Sequence, residues 1–149
     1  MARTITKERE KGRSSVHSAS SDVLLRGDET ILLVDDYEEL RNVLKRRLSE
    51  LGYQVLCAAN GKEALEILSA HSGTVHLIVT DVVMPGMSGL QLSRSVVRLF
   101  PHIKVIIMSS GSYKNIANNG LVPFYRFLQK PFGLDEIART VREVLEQEK

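Results

Sequence analysis

From Thr30 onward, five short apolar runs alternate with segments of helical period. The runs are residues 31–35, 54–58, 77–81, 104–108 and 124–129, rich in Val, Ile and Leu. Most are apolar at successive positions rather than at alternate ones, which marks strands buried on both faces of a parallel sheet. Between the first two runs, Leu40, Val43, Leu44, Leu48 and Leu51 recur at helix spacing with Arg and Glu between them, and Gly52 supplies a stop. A second helix is predicted over about 61–70, with Ala64, Leu65, Ile67 and Leu68 inward. A third runs over about 89–100 and ends at Pro101. The last covers about 134–146 and turns Leu134, Ile137, Val141, Val144 and Leu145 inward. The stretch SSGSYKNIANNGLVP before the fifth run is poor in apolar residues, and only a short helix around 114–118 is predicted there.

Strand–helix alternation repeated in this way predicts an α/β fold with a doubly wound, five-stranded parallel sheet. Right-handed crossovers place helices on both faces, giving three layers. The strand C-termini then share one edge, where ligands bind at the switch point, and an order 2-1-3-4-5 puts the second strand outermost.

Residues 1–28 do not fit this pattern. They are polar and Ser-rich, and are expected to be a disordered arm, leaving 29–149 as the folded domain. Arg3, Lys7, Arg9, Lys11 and Arg13 against Glu8 and Glu10 give residues 1–21 a net charge of +3, so the remainder of this +2 chain sums to −1. A near-neutral domain makes no case for nucleic-acid binding. A solvated leader and a contact with an acidic partner both fit the arm. Cys57 is the single cysteine, which excludes a disulfide framework and fits a reducing compartment. No run has the length of a membrane span and no apolar signal core opens the chain, so a cytoplasmic location is expected.

The chemistry lies where the strands end. The first run ends in Asp35 and Asp36, the third in Asp81, the fourth in Ser109 and Ser110, and the fifth in Lys130, followed by Pro131. The second ends in Ala59-Asn60-Gly61, with no ionisable group. Each residue alone has a plain structural use: Asp36 as a helix N-cap, Asp81 as a turn cap before Pro85-Gly86, Ser109 as a loop hydroxyl, Lys130 as a solvated charge. Those uses do not account for three carboxylates, a hydroxyl and an ammonium on one sheet edge. Crowded carboxylates repel unless one is protonated or a cation is present. Mg2+ takes hard oxygen ligands, typically one or two carboxylates plus a phosphate. A metal, an ammonium and a hydroxyl around a carboxylate are the parts that stabilise a transferring phosphoryl group, with Asp81 as the nucleophile forming an acyl phosphate.

The pieces LLVDD (32–36), VTDVVMPGMSG (79–89), VIIMSS (105–110) and FLQKPF (127–132), in this order and spacing, resemble the receiver domain of two-component response regulators over about 29–147. The resemblance implies a flavodoxin-like, CheY-like fold. It implies Asp81 as phosphoacceptor, Asp36 as a direct Mg2+ ligand, Asp35 as its water-mediated neighbour and the Val83 carbonyl as a further ligand. Ser109 is implied as the switch hydroxyl, Phe127 as the switch aromatic and Lys130 as the phosphate-contacting lysine, with a cis Lys130–Pro131 bond. The implied phosphodonor is a histidine kinase or histidine phosphotransfer protein. The implied output is a protein contact on the face of the fourth helix, fifth strand and last helix, with no membrane role and with homodimerisation open. A switch of this kind is not expected to be an enzyme.

Ser110 departs from the family, standing where Ala or Gly is usual, and Ser109 is the rarer alternative to Thr. Val83 and Gly111 occupy positions expected to tune hydrolysis. GDETILLVDD and FLQKPF resemble receivers at the C-terminus of hybrid sensor kinases, whereas Met1 with no kinase before it fits a stand-alone regulator. Two other functions compete. A Mg2+-dependent phosphohydrolase would use Asp81 but needs a second acid or base, and position 83 is Val. A flavodoxin-like cofactor binder needs a Gly, Ser or Thr phosphate cradle after the first strand, where Asp35-Asp36-Tyr37-Glu38-Glu39 stands instead. Cys57, the histidines, and Met84, Met87 and Met108 are read as packing or loop residues.

Overall fold

The computed structural model describes residues 22–112, 114 and 126–147. Its elements are β1 (Thr30–Val34), α1 (Glu38–Glu50), β2 (Gln54–Ala58), α2 (Gly61–Ala70), β3 (Leu77–Asp81), α3 (Gly89–Leu99), β4 (Lys104–Ser109), β5 (Arg126–Gln129) and α4 (Leu134–Glu146). The sheet order is β2-β1-β3-β4-β5, with every pairing parallel. The helix expected around 114–118 lies outside the described residues apart from Lys114, as does Phe124 of the fifth predicted strand.

The continuous apolar runs have a simple cause. Successive side chains of a strand face opposite ways, and here both faces are roofed by helices. Ile31, Leu33, Val79, Ile106 and Met108 pack with Leu44, Leu48, Ile137 and Val141 of α1 and α4. Leu32, Val34, Ile78, Val105 and Ile107 pack with Ala64, Leu68, Leu92 and Val96 of α2 and α3. β2 is an edge strand and is only partly covered.

Two predicted inward residues turn outward. Val43 is 47% exposed and Leu134 41% exposed. Val43 flanks the buried stripe of Leu44 and Leu48, and Leu134 opens α4 one turn before its first buried residue, Ile137. The helix starts differ as well. Asn60 and Ser88 cap α2 and α3 through their side chains, Ser88 in a reciprocal box with Gln91. The N-cap position of α1 is Tyr37, without a side-chain cap bond, so Asp36 does not serve there. The Lys130–Pro131 bond is cis.

Residues 22–28, which the sequence places in the arm, are held against the domain. Residues 22–25 form one helical turn, and Leu25 packs against the α1–α4 core. Asp22 pairs with Arg47 at 2.8 Å, Gly27 N–H donates to the Leu51 carbonyl, and Arg142 grips Glu29 at 2.7 Å and the Arg26 carbonyl at 3.1 Å. This strap crosses from α1 to α4. Residues 1–21 lie outside the described residues.

At the C-terminal end of α4, Lys104 of β4 donates to the Val144 carbonyl at 2.9 Å and also to those of Leu145 and Gln147. Its ammonium thus shares the Val144 carbonyl with the Gln147 N–H, binds the Leu145 carbonyl as well and opposes the negative end of the helix dipole. Lys104→Met is expected to lower stability by about 1–2 kcal/mol, read as a shifted urea midpoint with an unchanged slope. An unchanged midpoint would mean that water serves those carbonyls as well.

Candidate functional site

The site forms at the C-terminal edge of the sheet, where β1 and β3 lie side by side. Asp35, predicted to end the first strand, lies one residue beyond β1 and is 2% exposed. Its backbone N–H still donates to the Ala58 carbonyl of β2. One carboxylate oxygen, Oδ1, accepts the Tyr37 N–H at 2.9 Å, and the other, Oδ2, accepts from Lys130 Nζ at 3.2 Å. Asp36 is exposed beside it. Asp81 closes β3, and its Oδ1 accepts the Val82 N–H at 2.9 Å and lies 3.4 Å from Lys130 Nζ.

Lys130 therefore stands between two carboxylates on different strands. Oxygens of Asp35, Asp36 and Asp81 all lie within 4.8 Å of one another. Burial is the main cause that raises the Asp81 carboxyl above its ordinary range; the Asp35 charge adds to this, and Lys130 opposes it. One ammonium cannot balance three converging carboxylates. The donor set is all oxygen, hard and part-exposed, which fits Mg2+. Asp35, Asp36 and Asp81 would hold the ion, and the loop carrying Val83, whose side chain is 76% exposed, passes directly after Asp81.

The remaining predicted residues are placed as follows. Ser109 ends β4 and is 4% exposed; its Oγ accepts the Gly111 N–H at 3.0 Å, and its carbonyl accepts the Lys130 N–H at 2.8 Å. Phe127 of β5 is half-buried against the α2–α3 core. Ser110 is exposed and lines a cleft of about 420 Å3 with Tyr37, Leu40, Lys130, Pro131 and Phe132.

Three residues enter that the sequence reading passed over. Arg41 donates to the Asp35 carbonyl at 2.6 Å and so fixes the turn that carries both acids. Tyr37 supplies the N–H that orients Asp35, and its hydroxyl donates to Glu39 at 2.7 Å. Gln129 bonds the carbonyl of Ser110. Arg41 follows Asp35 by six positions, a spacing at which the first turn of α1 folds back over the strand end; this was the available signal. Gln129 carried none.

Residues 31–142 match the family model described as the response regulator receiver domain. The chain belongs to that family. Among curated relatives, the receiver is similar to the sensor kinase CckA of Brucella abortus, with 42% identity over 127 residues, covering 83% of this chain and 13% of that one. It is similar to sporulation initiation phosphotransferase F of Bacillus subtilis, with 33% identity, covering 79% of this chain and 94% of that one. The chain thus spans a small fraction of the first relative and nearly all of the second. Among solved structures, the receiver resembles the response regulator TrrA of Thermotoga maritima in complex with Mg2+–BeF, at 31% identity and a TM-score of 0.69, covering 78% of this chain and 98% of that one. A CheY-like receiver protein of Methanospirillum hungatei gives a TM-score of 0.73 at 25% identity, covering 80% and 95%. The receiver is therefore a two-component signalling module with the CheY-like parallel fold. Among the described residues no helix is long and apolar enough to cross a membrane.

Proposed function

We propose that this receiver accepts a phosphoryl group on Asp81 from a phosphohistidine of a histidine kinase or histidine phosphotransfer protein. The observation that carries the reading is Lys130 Nζ placed 3.2 Å from Asp35 and 3.4 Å from Asp81, within a cluster of three carboxylates. With Asp81 Oδ1 held by the Val82 N–H and Lys130, Oδ2 is the attacking oxygen. It forms a bond to phosphorus as the bond from phosphorus to the histidine nitrogen breaks, and that nitrogen keeps the electron pair. Bound Mg2+, held by Asp35, Asp36, Asp81 and the Val83 carbonyl, would neutralise the crowded oxygens. Lys130 stabilises the charge that develops on the phosphoryl group.

The acyl phosphate adds negative charge and strong acceptor oxygens at the end of β3. Ser109 turns towards it, and Phe127 moves into the room that Ser109 leaves. The shift is read by a protein target at β5, α4 and the segment between β4 and β5, as a population change between two existing states. The domain acts as a switch and not as a turnover enzyme, in the cytoplasm. The similarity to a sensor kinase and to a sporulation initiation phosphotransferase supports a place in a phosphorelay.

The test is intact-mass spectrometry after incubation with Mg2+ and a small acyl-phosphate donor. The expected result is one phosphoryl adduct on the wild type, not formed when EDTA is present in the reaction and absent from Asp81→Asn. A wild type without an adduct, or a mutant that keeps it, overturns the assignment.

A further inference from the structure

Beyond Ser109 the chain leaves β4, and the regular ladder to β5 stops with Lys130 N–H donating to the Ser109 carbonyl at 2.8 Å. Gln129 extends it with a side chain. Its Nε2 donates to the Ser110 carbonyl at 3.1 Å and to the Lys130 carbonyl at 3.3 Å. Both partners are carbonyl oxygens, so the nitrogen end of the amide must face them. The amide thus staples the loop that carries the switch hydroxyl to the peptide of the phosphate-contacting lysine. In this arrangement Ser109 Oγ is engaged with the Gly111 N–H at 3.0 Å. For the hydroxyl to turn to Asp81, its bond to the Gly111 N–H must open, and the loop which that bond closes is held at the Ser110 carbonyl by Gln129.

We propose that Gln129 is a positioning residue that holds the Ser109–Gly111 loop in the unphosphorylated arrangement and so weakens the response to a phosphoryl group on Asp81. This rests on Asp81 as phosphoacceptor and Ser109 as the group that follows the phosphoryl. Gln129 is exposed and lines no core, so removing its amide opens no cavity. Its effect on switching is therefore separable from an effect on folding. A hydrogen bond of this kind shifts an equilibrium by about two- to tenfold.

The probe is beryllofluoride with Mg2+, titrated into the full chain and followed by the backbone amide resonances of Ser110 and Gly111. Gln129→Met keeps the length of the side chain and removes the amide. The expected result is beryllofluoride affinity raised by about two- to tenfold, with those two resonances in the free variant displaced towards their positions in the bound wild type. In a Ser109→Ala background the same substitution is expected to leave the affinity unchanged, because no hydroxyl remains to be held back. A merely structural role would move the urea midpoint instead and would leave the resonances on no line between the two states. Unchanged or weakened affinity in Gln129→Met, with the wild type binding normally, overturns this inference alone. A wild type that binds no beryllofluoride overturns the phosphoacceptor reading and this inference with it.

Discussion

Gly89→Ala is expected to destabilise the receiver by about 3 kcal/mol and to slow phosphoryl uptake by about a hundredfold. Gly89 opens α3 and donates its N–H to the Val82 carbonyl at 2.9 Å, which brings the helix start back against the end of β3. A methyl group there would lie far inside contact distance of the Asp81 carbonyl oxygen, 2.8 Å from its carbonyl carbon and 3.1 Å from Val82 Cα. All three atoms are backbone, so no side-chain end can swing away. The Asp81 peptide is also bound in place, since Thr80 Oγ1 donates to its carbonyl at 3.0 Å and Val82 N–H donates to Met108 at 3.1 Å. Either α3 lifts away or the end of β3 moves, and the second displaces the nucleophile itself. Gly73→Ala is the control: its new methyl meets only the His71 ring, 3.2 Å away, and a change within about 0.5 kcal/mol is expected. Urea denaturation and the rate of adduct formation from an acyl-phosphate donor measure the two effects. A variant at wild-type stability would mean that the loop from Val82 to Ser88 yields more easily than its bonds imply.

The fold was legible because the sheet is covered on both sides. Runs such as ILLV and VIIM could not be half-exposed strands, and their spacing by helical segments left one architecture. The polar strand ends were legible for the complementary reason: the apolar pattern stops there, and Asp35, Asp36, Asp81, Ser109 and Lys130 stand out against it. What could not be read depends on partners distant in the chain. The strap at 22–29 has the composition of a solvated arm, yet Arg47 and Arg142, lying 25 and 113 positions from their acids Asp22 and Glu29, hold it to the domain. Gln129 looks like any polar residue at a strand end until the β4–β5 register sets its amide against Ser110. Val43 and Leu134 follow the helical period, but the period does not say how far the roofed surface extends at its margins.

Without metal, Asp81→Asn is expected to stabilise the receiver at neutral pH by about 1 kcal/mol, the size of a single stabilising replacement. The carboxylate is disfavoured in the fold by burial and by Asp35, against the opposing pull of Lys130. A carboxyl raised in the folded state weakens the fold once ionised, so the mutant's advantage is fully present above that raised value. It shrinks as the pH falls through that value and is gone below the ordinary 3.8 of the unfolded chain, where both states hold the proton. Mg2+ reverses the ranking. An ion bound only by the native state stabilises by about 2.7 kcal/mol at a hundredfold excess over its Kd, and the wild type keeps all three carboxylates to bind it. Asp81→Asn and Asp36→Ala each lose a charged oxygen ligand and gain less. Thermal unfolding in EDTA and again in saturating Mg2+ checks both halves: the mutant curve should lie above the wild type in the first buffer and below it in the second. A wild type whose midpoint ignores Mg2+ would remove the cation from the site, and Lys130 alone would then have to account for three acids meeting at one sheet edge.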